Sequence, residues 1–151
     1  MWFMNKIANP LVRWILRSPL QRLMSTTLLL ITYRGRKSGK DFTLPVQYVQ
    51  EGGVIYIVPG AAEKKTWWRN LRGGAPVRLL LKGQSVAGNA TLLEGPADCE
   101  RIVPALNIYL QGFPAAAKMR KIRLDDSGSF NQDDLRQAAR SAVMVCVDSG
   151  K

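Results

Sequence analysis

The chain has 151 residues, of which 46% are hydrophobic, and this is enough for one domain with a single core. It has no histidine, which excludes histidine-dependent triads and histidine metal sites. The formal net charge is +11, and the first 40 residues contain no acidic residue, so we expect an anionic partner. Cys99 and Cys146 match no metal-ligand spacing, so we expect no metal and two reduced thiols in a cytoplasmic protein, with a disulfide as the less favoured alternative.

The N-terminal 1–25 segment is predicted to form amphipathic helices. An Asn-Pro pair and a Ser-Pro pair are typical helix starts and predict short helices over 10–17 and 19–24. Arg13 and Arg17 share one stripe of the first helix, and the rest of its surface is apolar. This pattern suits contact with an anionic membrane surface or packing against the protein itself. No run reaches the roughly 20 apolar residues that a membrane span needs.

The remaining 26–151 segment is predicted to be one barrel domain. Alternating apolar residues and turn signals predict strands over 28–33, 42–50, 54–58, 77–82, 85–93 and 142–147. Helices are predicted over 66–72, 97–112 and 131–141. Because short antiparallel strands dominate, we expect a mainly β (α+β) barrel of about six strands with N-terminal and peripheral helices. The chain lacks the glycine patterns of Rossmann folds and phosphate-binding P-loops.

Two basic stretches lie about thirty residues apart in the chain, Gly35–Lys40 and Lys64–Leu71. The first places cations between two glycines, where a tight turn directs N–H groups and side chains at an anion. The second has two lysines at the start of a predicted short helix, where the helix dipole also favours negative charge. Together they predict a clamp for a phosphorylated cofactor, although each stretch alone is also consistent with a solvated turn.

Four motifs in order carry a family resemblance: Leu28–Thr32, Gly35–Gly39, Thr43–Val46 and Trp67–Leu71. The chain resembles the deazaflavin (F420)-dependent nitroreductase family, whose members are split β-barrel flavin/deazaflavin oxidoreductases. The likeness runs from about residue 9 to residue 93, and more weakly to residue 147. It implies an antiparallel split β-barrel of the PNP-oxidase-like, FMN-binding type.

The resemblance also implies roles for particular residues. The cofactor's phosphate and acidic tail would contact Arg36, Lys37, Ser38, Gly39, Lys64 and Lys65. Its ring would lie against Thr43, Leu44, Pro45, Val46, Val58, Pro59 and Gly60, with Trp67, Trp68 and Asn70 completing the cofactor-binding set. We expect one tryptophan in the core and the other at the pocket border. Tyr109 is the predicted substrate-binding residue, and no catalytic residue is assigned.

The activity that the resemblance implies is hydride transfer from reduced F420 to a small electron-poor acceptor, a quinone or a nitroaromatic compound. Binding of FMN is the close alternative, and a non-catalytic barrel that carries a flavin, a haem or a lipid is another. A nucleic-acid-binding module is the alternative of a different class, because the chain is strongly basic. The acidic residues Asp125, Asp126, Asp133 and Asp134 argue against it. The N-terminal helices would place the protein at the inner face of the membrane.

Overall fold

The computed structural model describes residues 28–60, 62 and 65–149. The predicted N-terminal helices, their membrane contact and Lys64 lie outside the described residues. The strands are β1 (Leu28–Arg34), β2 (Asp41–Gln47), β3 (Val49–Glu51), β4 (Val54–Ile57), β5 (Ala75–Leu81), β6 (Gln84–Glu94) and β7 (Val143–Asp148). The helices are a 3₁₀ helix (Trp67–Leu71), α1 (Cys99–Gly112), α2 (Pro114–Met119) and α3 (Gln132–Ala139).

All seven strands form one antiparallel sheet in the order β2-β1-β5-β6-β7-β4-β3. Its two edges, β2 and β3, are separated in the chain by Tyr48 alone. The sheet therefore curls until its edges approach each other, which makes it a split barrel, as predicted. The predicted strand over 42–50 is wrong in one respect, because it divides at Tyr48 and raises the number of strands from six to seven.

Tyr48 points into the barrel core and is 4% exposed. Its hydroxyl is buried and has no hydrogen-bond partner among the described residues. Burial raises the pKa of this phenol above its ordinary value. The residue that joins the two sheet edges is thus fixed by apolar packing rather than by a polar contact.

The predicted strands leave residues 51–53 and 83–84 between successive strands, and a hairpin turn is present at each place, the second shifted by one residue. Gly52 has a φ of +61° in the turn between β3 and β4. In the second hairpin Gln84 already pairs with Leu81, so the turn consists of Lys82 and Gly83 rather than of the predicted Gly83 and Gln84. Lys82 and Gly83 have φ values of +51° and +79°, the signs that a two-residue hairpin with the common twist requires.

Two apolar clusters fill the molecule. The barrel core lies inside the curled sheet and includes Leu29, Ile31, Trp68 and Leu71. The helix core lies between the sheet and the helices, where Leu106 and other residues of α1 and α3 pack against β6 and β7. The barrel core supports the 3₁₀ helix, which contains the last five residues of the second basic stretch and holds Asn70 in place.

The three α-helices agree with the sequence in different degrees. Helix α1 forms around Pro104 as predicted, beginning at Cys99. Helix α3 begins after Asn131, whose side chain caps the backbone N–H of Asp134, and it ends two residues before the predicted limit of 141. Helix α2 is absent from the sequence prediction, since six residues beginning at a proline are too few to show a helical period.

Candidate cofactor site

The side chain of Asn70 joins the two basic stretches. The backbone N–H of Arg36 donates to Asn70 Oδ1 at 3.0 Å, although the two residues are 34 positions apart. Asn70 Nδ2 donates to the carbonyl of Trp67 at 2.8 Å, which fixes the amide on the 3₁₀ helix. The fold thus brings together the two cation-bearing segments that the sequence singled out.

Arg36 makes a second contact with the same region, because its guanidinium donates to the carbonyl of Arg72. Arg72 in turn binds Glu94 at both ends of its guanidinium, with N–O distances of 3.1 and 2.8 Å. This pairing raises the pKa of Arg72. Arg36 itself has five N–H donors and uses one of them here, so it keeps donors for an anion.

The loop 35–40 has a defined shape. Gly35 N–H donates to the carbonyl of Lys40 at 2.8 Å, and Gly39 N–H donates to the carbonyl of Gly35 at 2.9 Å. Ser38 Oγ accepts from Lys40 N–H at 3.2 Å, so the hydroxyl predicted to bind phosphate also closes the loop. Gly39 has a φ of +68°, a backbone conformation that favours glycine.

The cations Lys37, Lys40 and Lys65 are exposed and form no ion pair with another described residue. Lys37 and Lys40 lie in the same loop as the exposed Arg36, so this loop has cations without a carboxylate partner among the described residues. Lys65 precedes the 3₁₀ helix that carries Asn70. Such a cluster on a shaped loop is suited to a phosphate or carboxylate group.

An aromatic row lies beside the loop. Phe42 and Tyr33 pair directly across β1 and β2, with ring centroids 5.7 Å apart, and Trp67 lies 5.7 Å from Tyr33 on the other side. Phe42 is 43% exposed, whereas Tyr33 is buried, and burial raises the pKa of its phenol. Phe42 and the half-buried Trp67 are the rings of this row that remain accessible beside the loop.

The two tryptophans differ as expected in burial. Trp68 is 5% exposed and belongs to the barrel core, and its indole N–H donates to the carbonyl of Ala62 at 3.1 Å. Trp67 is half-buried at the rim of the same core. The expectation of one core tryptophan is confirmed, and contact of Trp67 with a ligand stays a prediction.

The predicted ring-binding segment Thr43–Val46 lies in β2, at an edge of the sheet. Pro45 is tolerated there because an edge strand has a side on which no backbone N–H is needed, as the sequence predicts. Thr43 bonds to Thr32 through the two hydroxyls at 2.8 Å, and Leu44 and Val46 pack against the barrel core. Of the second predicted segment, Val58 packs on the helix core, Pro59 is buried and Gly60 is exposed.

Tyr109 lies apart from the residues of the clamp. It is 4% exposed in the helix core, and its ring centroid is 4.9 Å from that of Phe113. Burial raises the pKa of this phenol, and the nearby Arg120 opposes that effect. No contact within the described part of the chain joins Tyr109 to the two basic stretches, and its substrate role stays a prediction.

Sequence reasoning missed Arg72, Tyr33 and Phe42 as parts of this site. A signal for the aromatic pair exists, because Tyr33 and Phe42 stand symmetrically on either side of the loop 35–40. Reading β1 and β2 as a hairpin would have placed them opposite each other. Arg72 contributes its backbone carbonyl, and because every residue has one, the residue type gives no indication of this contact.

Other site classes find no support within the described residues. They contain no group of acidic, cysteine or histidine side chains that could hold a metal ion. Both cysteines are free thiols, as predicted, and burial raises the pKa of Cys146 to about 11. None of the helices in the described part of the chain is long and apolar enough to cross a membrane.

Comparison with known proteins identifies the family. The family model described as F420H(2)-dependent quinone reductase matches residues 15–108, which is more than half of the chain. The chain belongs to this family of F420-dependent oxidoreductases, and the resemblance read from the sequence is confirmed. A Mycobacterium tuberculosis protein named "Putative F420H(2)-dependent quinone reductase" is 41% identical over 46 residues. That segment covers 28% of this chain and 39% of the relative.

Solved structures support the fold. A structure described as an F420-H2 dependent reductase aligns with a TM-score of 0.55 and 20% identity, covering 80% of this chain and 93% of the other. A chain described as a domain-swapped dimer aligns with a TM-score of 0.55 and 18% identity, covering 89% and 97%. At these identities the likeness concerns the split-barrel fold alone.

Proposed function

We propose that this protein is an F420H2-dependent reductase that transfers a hydride from the reduced deazaflavin to a quinone-type acceptor. The observation that carries the proposal is the bond between Arg36 N–H and Asn70, which unites two cation-bearing segments in a member of this family. A nitroaromatic acceptor is the second candidate for the same chemistry.

The described residues fit the anionic part of such a cofactor. Arg36, Lys37 and Lys40 belong to a loop whose backbone is fixed by its own hydrogen bonds, and Lys65 would approach the same anion from the second stretch. A Cβ at Gly35 would lie 2.8 Å from a ring carbon of Phe42, so the loop sits directly against the aromatic row. Lys64 would add a further cation, as the sequence predicts.

The flat part of the cofactor would lie along Thr43–Val46 and the aromatic row. Edge strand β2 has backbone groups that no other strand of the described residues uses, and these are suited to the polar edge of a ring. When bound, F420H2 supplies the hydride, and the protein's part is to hold the cofactor, orient it and exclude water. The chain has no histidine, so imidazole acid–base catalysis is not part of the reaction.

The choice of a quinone rests on the family description, because the geometry of the described residues does not distinguish among flat acceptors. An association of the N-terminal helices with an anionic membrane would bring the protein to lipid-dissolved quinones. That association stays a prediction, since these helices lie outside the described residues.

A parallel fluorescence titration with F420 and with FMN tests the proposal. We expect the wild type to prefer F420, and the Arg36→Ala, Lys37→Ala double variant to bind it about 10- to 100-fold more weakly, because charged hydrogen bonds are lost. The matched control is Arg120→Ala, Lys121→Ala, which removes the same adjacent pair of cations from another surface.

Each outcome of the titration has a definite meaning. Preference for FMN would contradict the cofactor assignment, and equal losses in the two double variants would contradict the clamp. Asn70→Ala refines the test, because it removes the link between the stretches without removing a charge. Quinone reduction by the F420H2-loaded wild type, compared with reduction of a nitroaromatic compound, then identifies the acceptor class.

A further inference from the structure

A second basic segment, unrelated to the clamp, projects from the helical side of the molecule. This segment, Lys118–Leu124, is here called the basic tip, and its sequence is Lys-Met-Arg-Lys-Ile-Arg-Leu. Met119 is 85% exposed and Leu124 is 63% exposed, and only Phe42 joins them as an exposed large hydrophobic residue in the described part of the chain. The tip thus presents apolar side chains and cations together.

The backbone of the tip forms a specific helix end. Ile122 N–H donates to the carbonyl of Ala117 at 3.0 Å, and Lys121 N–H donates to the carbonyl of Lys118 at 3.1 Å. These two bonds define a Schellman motif at the end of α2, in which the residue with positive φ is usually glycine. Here that residue is Lys121, with a φ of +59°.

The lysine therefore stands where the backbone favours glycine. Residues whose intrinsic preference conflicts with their backbone conformation are expected mainly at functional positions. Ile122, 5% exposed, anchors the turn in the helix core, so Lys121 lies on a fixed support. A cation is therefore present at residue 121 although the backbone conformation there is unfavourable for lysine.

Part of the tip's charge is compensated, because Asp125 and Asp126 follow it directly in the chain and Asp134 contacts Arg123. Arg123 binds Asp134 through N–O distances of 2.8 and 3.1 Å. Lys118, Arg120 and Lys121 form no ion pair with another described residue. Beside them lies a cavity of about 560 Å³, whose wall includes Ile122, Leu124 and Phe130. Cations, exposed apolar side chains and an adjoining cavity therefore occur within one short segment at the end of α2.

We propose that the basic tip binds the surface of a membrane that contains anionic lipid, with Met119 and Leu124 entering the interface between headgroups and acyl chains. Lysine and arginine near such a surface are attracted by its negative potential, and apolar side chains add burial. A nucleic acid would engage the cations but would leave Met119 and Leu124 in water. The proposal is independent of the F420 activity.

Vesicle sedimentation with the full chain tests this inference. Vesicles of phosphatidylcholine are compared with vesicles that also contain phosphatidylglycerol, at low and at raised salt. We expect binding only to the anionic vesicles, weakened by salt. Lys121→Gly should weaken partitioning roughly fivefold, the effect of one cation near the surface. Met119→Ser should weaken it about three- to tenfold through lost apolar burial.

The matched control is Lys82→Gly, which removes a lysine of positive φ from the turn between β5 and β6. Like Lys121→Gly, it removes one positive charge and replaces a lysine of positive φ with glycine. We expect its partitioning to match that of the wild type. Glycine suits the conformation of residue 121, so loss of binding in Lys121→Gly cannot be attributed to unfolding.

Three results would overturn the proposal. The first is that the wild type does not bind anionic vesicles. The second is that Lys121→Gly and Met119→Ser bind as well as the wild type, because binding would then be due to another segment. Finally, an oligonucleotide could compete for the protein with a dependence on Lys121 and none on Met119, which would assign the tip to nucleic acid.

Discussion

The clamp loop, residues 35–40, and the basic tip, Lys118–Leu124, are both rich in cations and use glycine in opposite ways. The clamp loop has glycine at residue 39, where φ is +68°, and at Gly35, where a Cβ would meet Phe42 and Ser38 at 2.8 and 2.9 Å. The basic tip has a lysine at the position where glycine is usual. In the clamp loop, glycine permits backbone positions that a side chain would disturb. In the basic tip, a lysine adopts an unfavourable backbone conformation and its charge is retained.

The two segments also differ in how they are held. The clamp loop is fixed by the neutral amide of Asn70 and by the carbonyl of Arg72, both supplied by a distant part of the chain. The basic tip depends on the buried Ile122 and on the ion pair between Arg123 and Asp134. A braced loop is suited to one small anion of fixed shape, whereas a tip with exposed apolar groups is suited to an extended surface.

Gly35→Ala should have the largest effect on this comparison. The new Cβ must displace the ring of Phe42 and the hydroxyl of Ser38, so we expect a loss of about 1–3 kcal/mol in the free energy of unfolding. F420 affinity should fall as well, because the loop moves. Chemical denaturation and cofactor titration measure the two effects. For denaturation, Gly60→Ala is the control because its Cβ would meet open space. Unchanged stability would show that the loop is not fixed as described.

Glycine substitutions at the basic tip should have smaller effects, of opposite sign at its two lysines. Lys121→Gly should raise the free energy of unfolding by about 0.5–1 kcal/mol, because it relieves the positive φ. Lys118→Gly should lower it by about 1 kcal/mol, because that residue is inside α2. Both remove one positive charge, so denaturation midpoints that shift in the same direction would contradict the Schellman geometry.

Acidification should weaken the ion pair that holds the basic tip but not the amide contact that holds the clamp loop. This is the smallest of the expected effects. The hydrogen bonds from Arg123 lower the pKa of Asp134 below its ordinary value. A carboxylate with a lowered pKa contributes stability above its unfolded-state pKa and loses it as the pH falls through the folded-state pKa. Thermal unfolding of Asp134→Asn and of the wild type should therefore differ at neutral pH and converge in acid.

The corresponding control lies in the clamp loop. Asn70 carries no titratable group, so the difference in melting temperature between the wild type and Asn70→Ala should stay nearly constant over the same acidic range. A difference that vanished in acid for Asn70→Ala as well would show that both braces depend on ionised groups.

Local patterns predicted much of the fold. The apolar run of β1, the glycine turn after β3 and the Asn131 cap of α3 all express short-range rules that a sequence displays directly. Helix α2 was missed because it is too short to show a helical period. The division at Tyr48 was missed because no glycine or other turn residue marks it within the alternating pattern of residues 42–50.

The contact between the two basic stretches could not be predicted from the sequence. Charge and turn chemistry identified both stretches, and the family resemblance added Asn70 to the predicted cofactor-binding residues. The sequence could not show that Asn70 accepts from Arg36, because that contact spans 34 positions and depends on how the sheet curls. Ser38 illustrates the same limit, since its hydroxyl accepts a bond within its own loop.

The single-residue connection at Tyr48 limits how the length of this chain can vary among related sequences. Side chains alternate between faces along a strand, so one inserted or deleted residue here would turn every following side chain of β3 to the opposite face. The β3–β4 turn around Gly52 lies at the surface and can absorb extra residues. Alignments of the family should therefore contain gaps near residue 52 and none between residues 47 and 49.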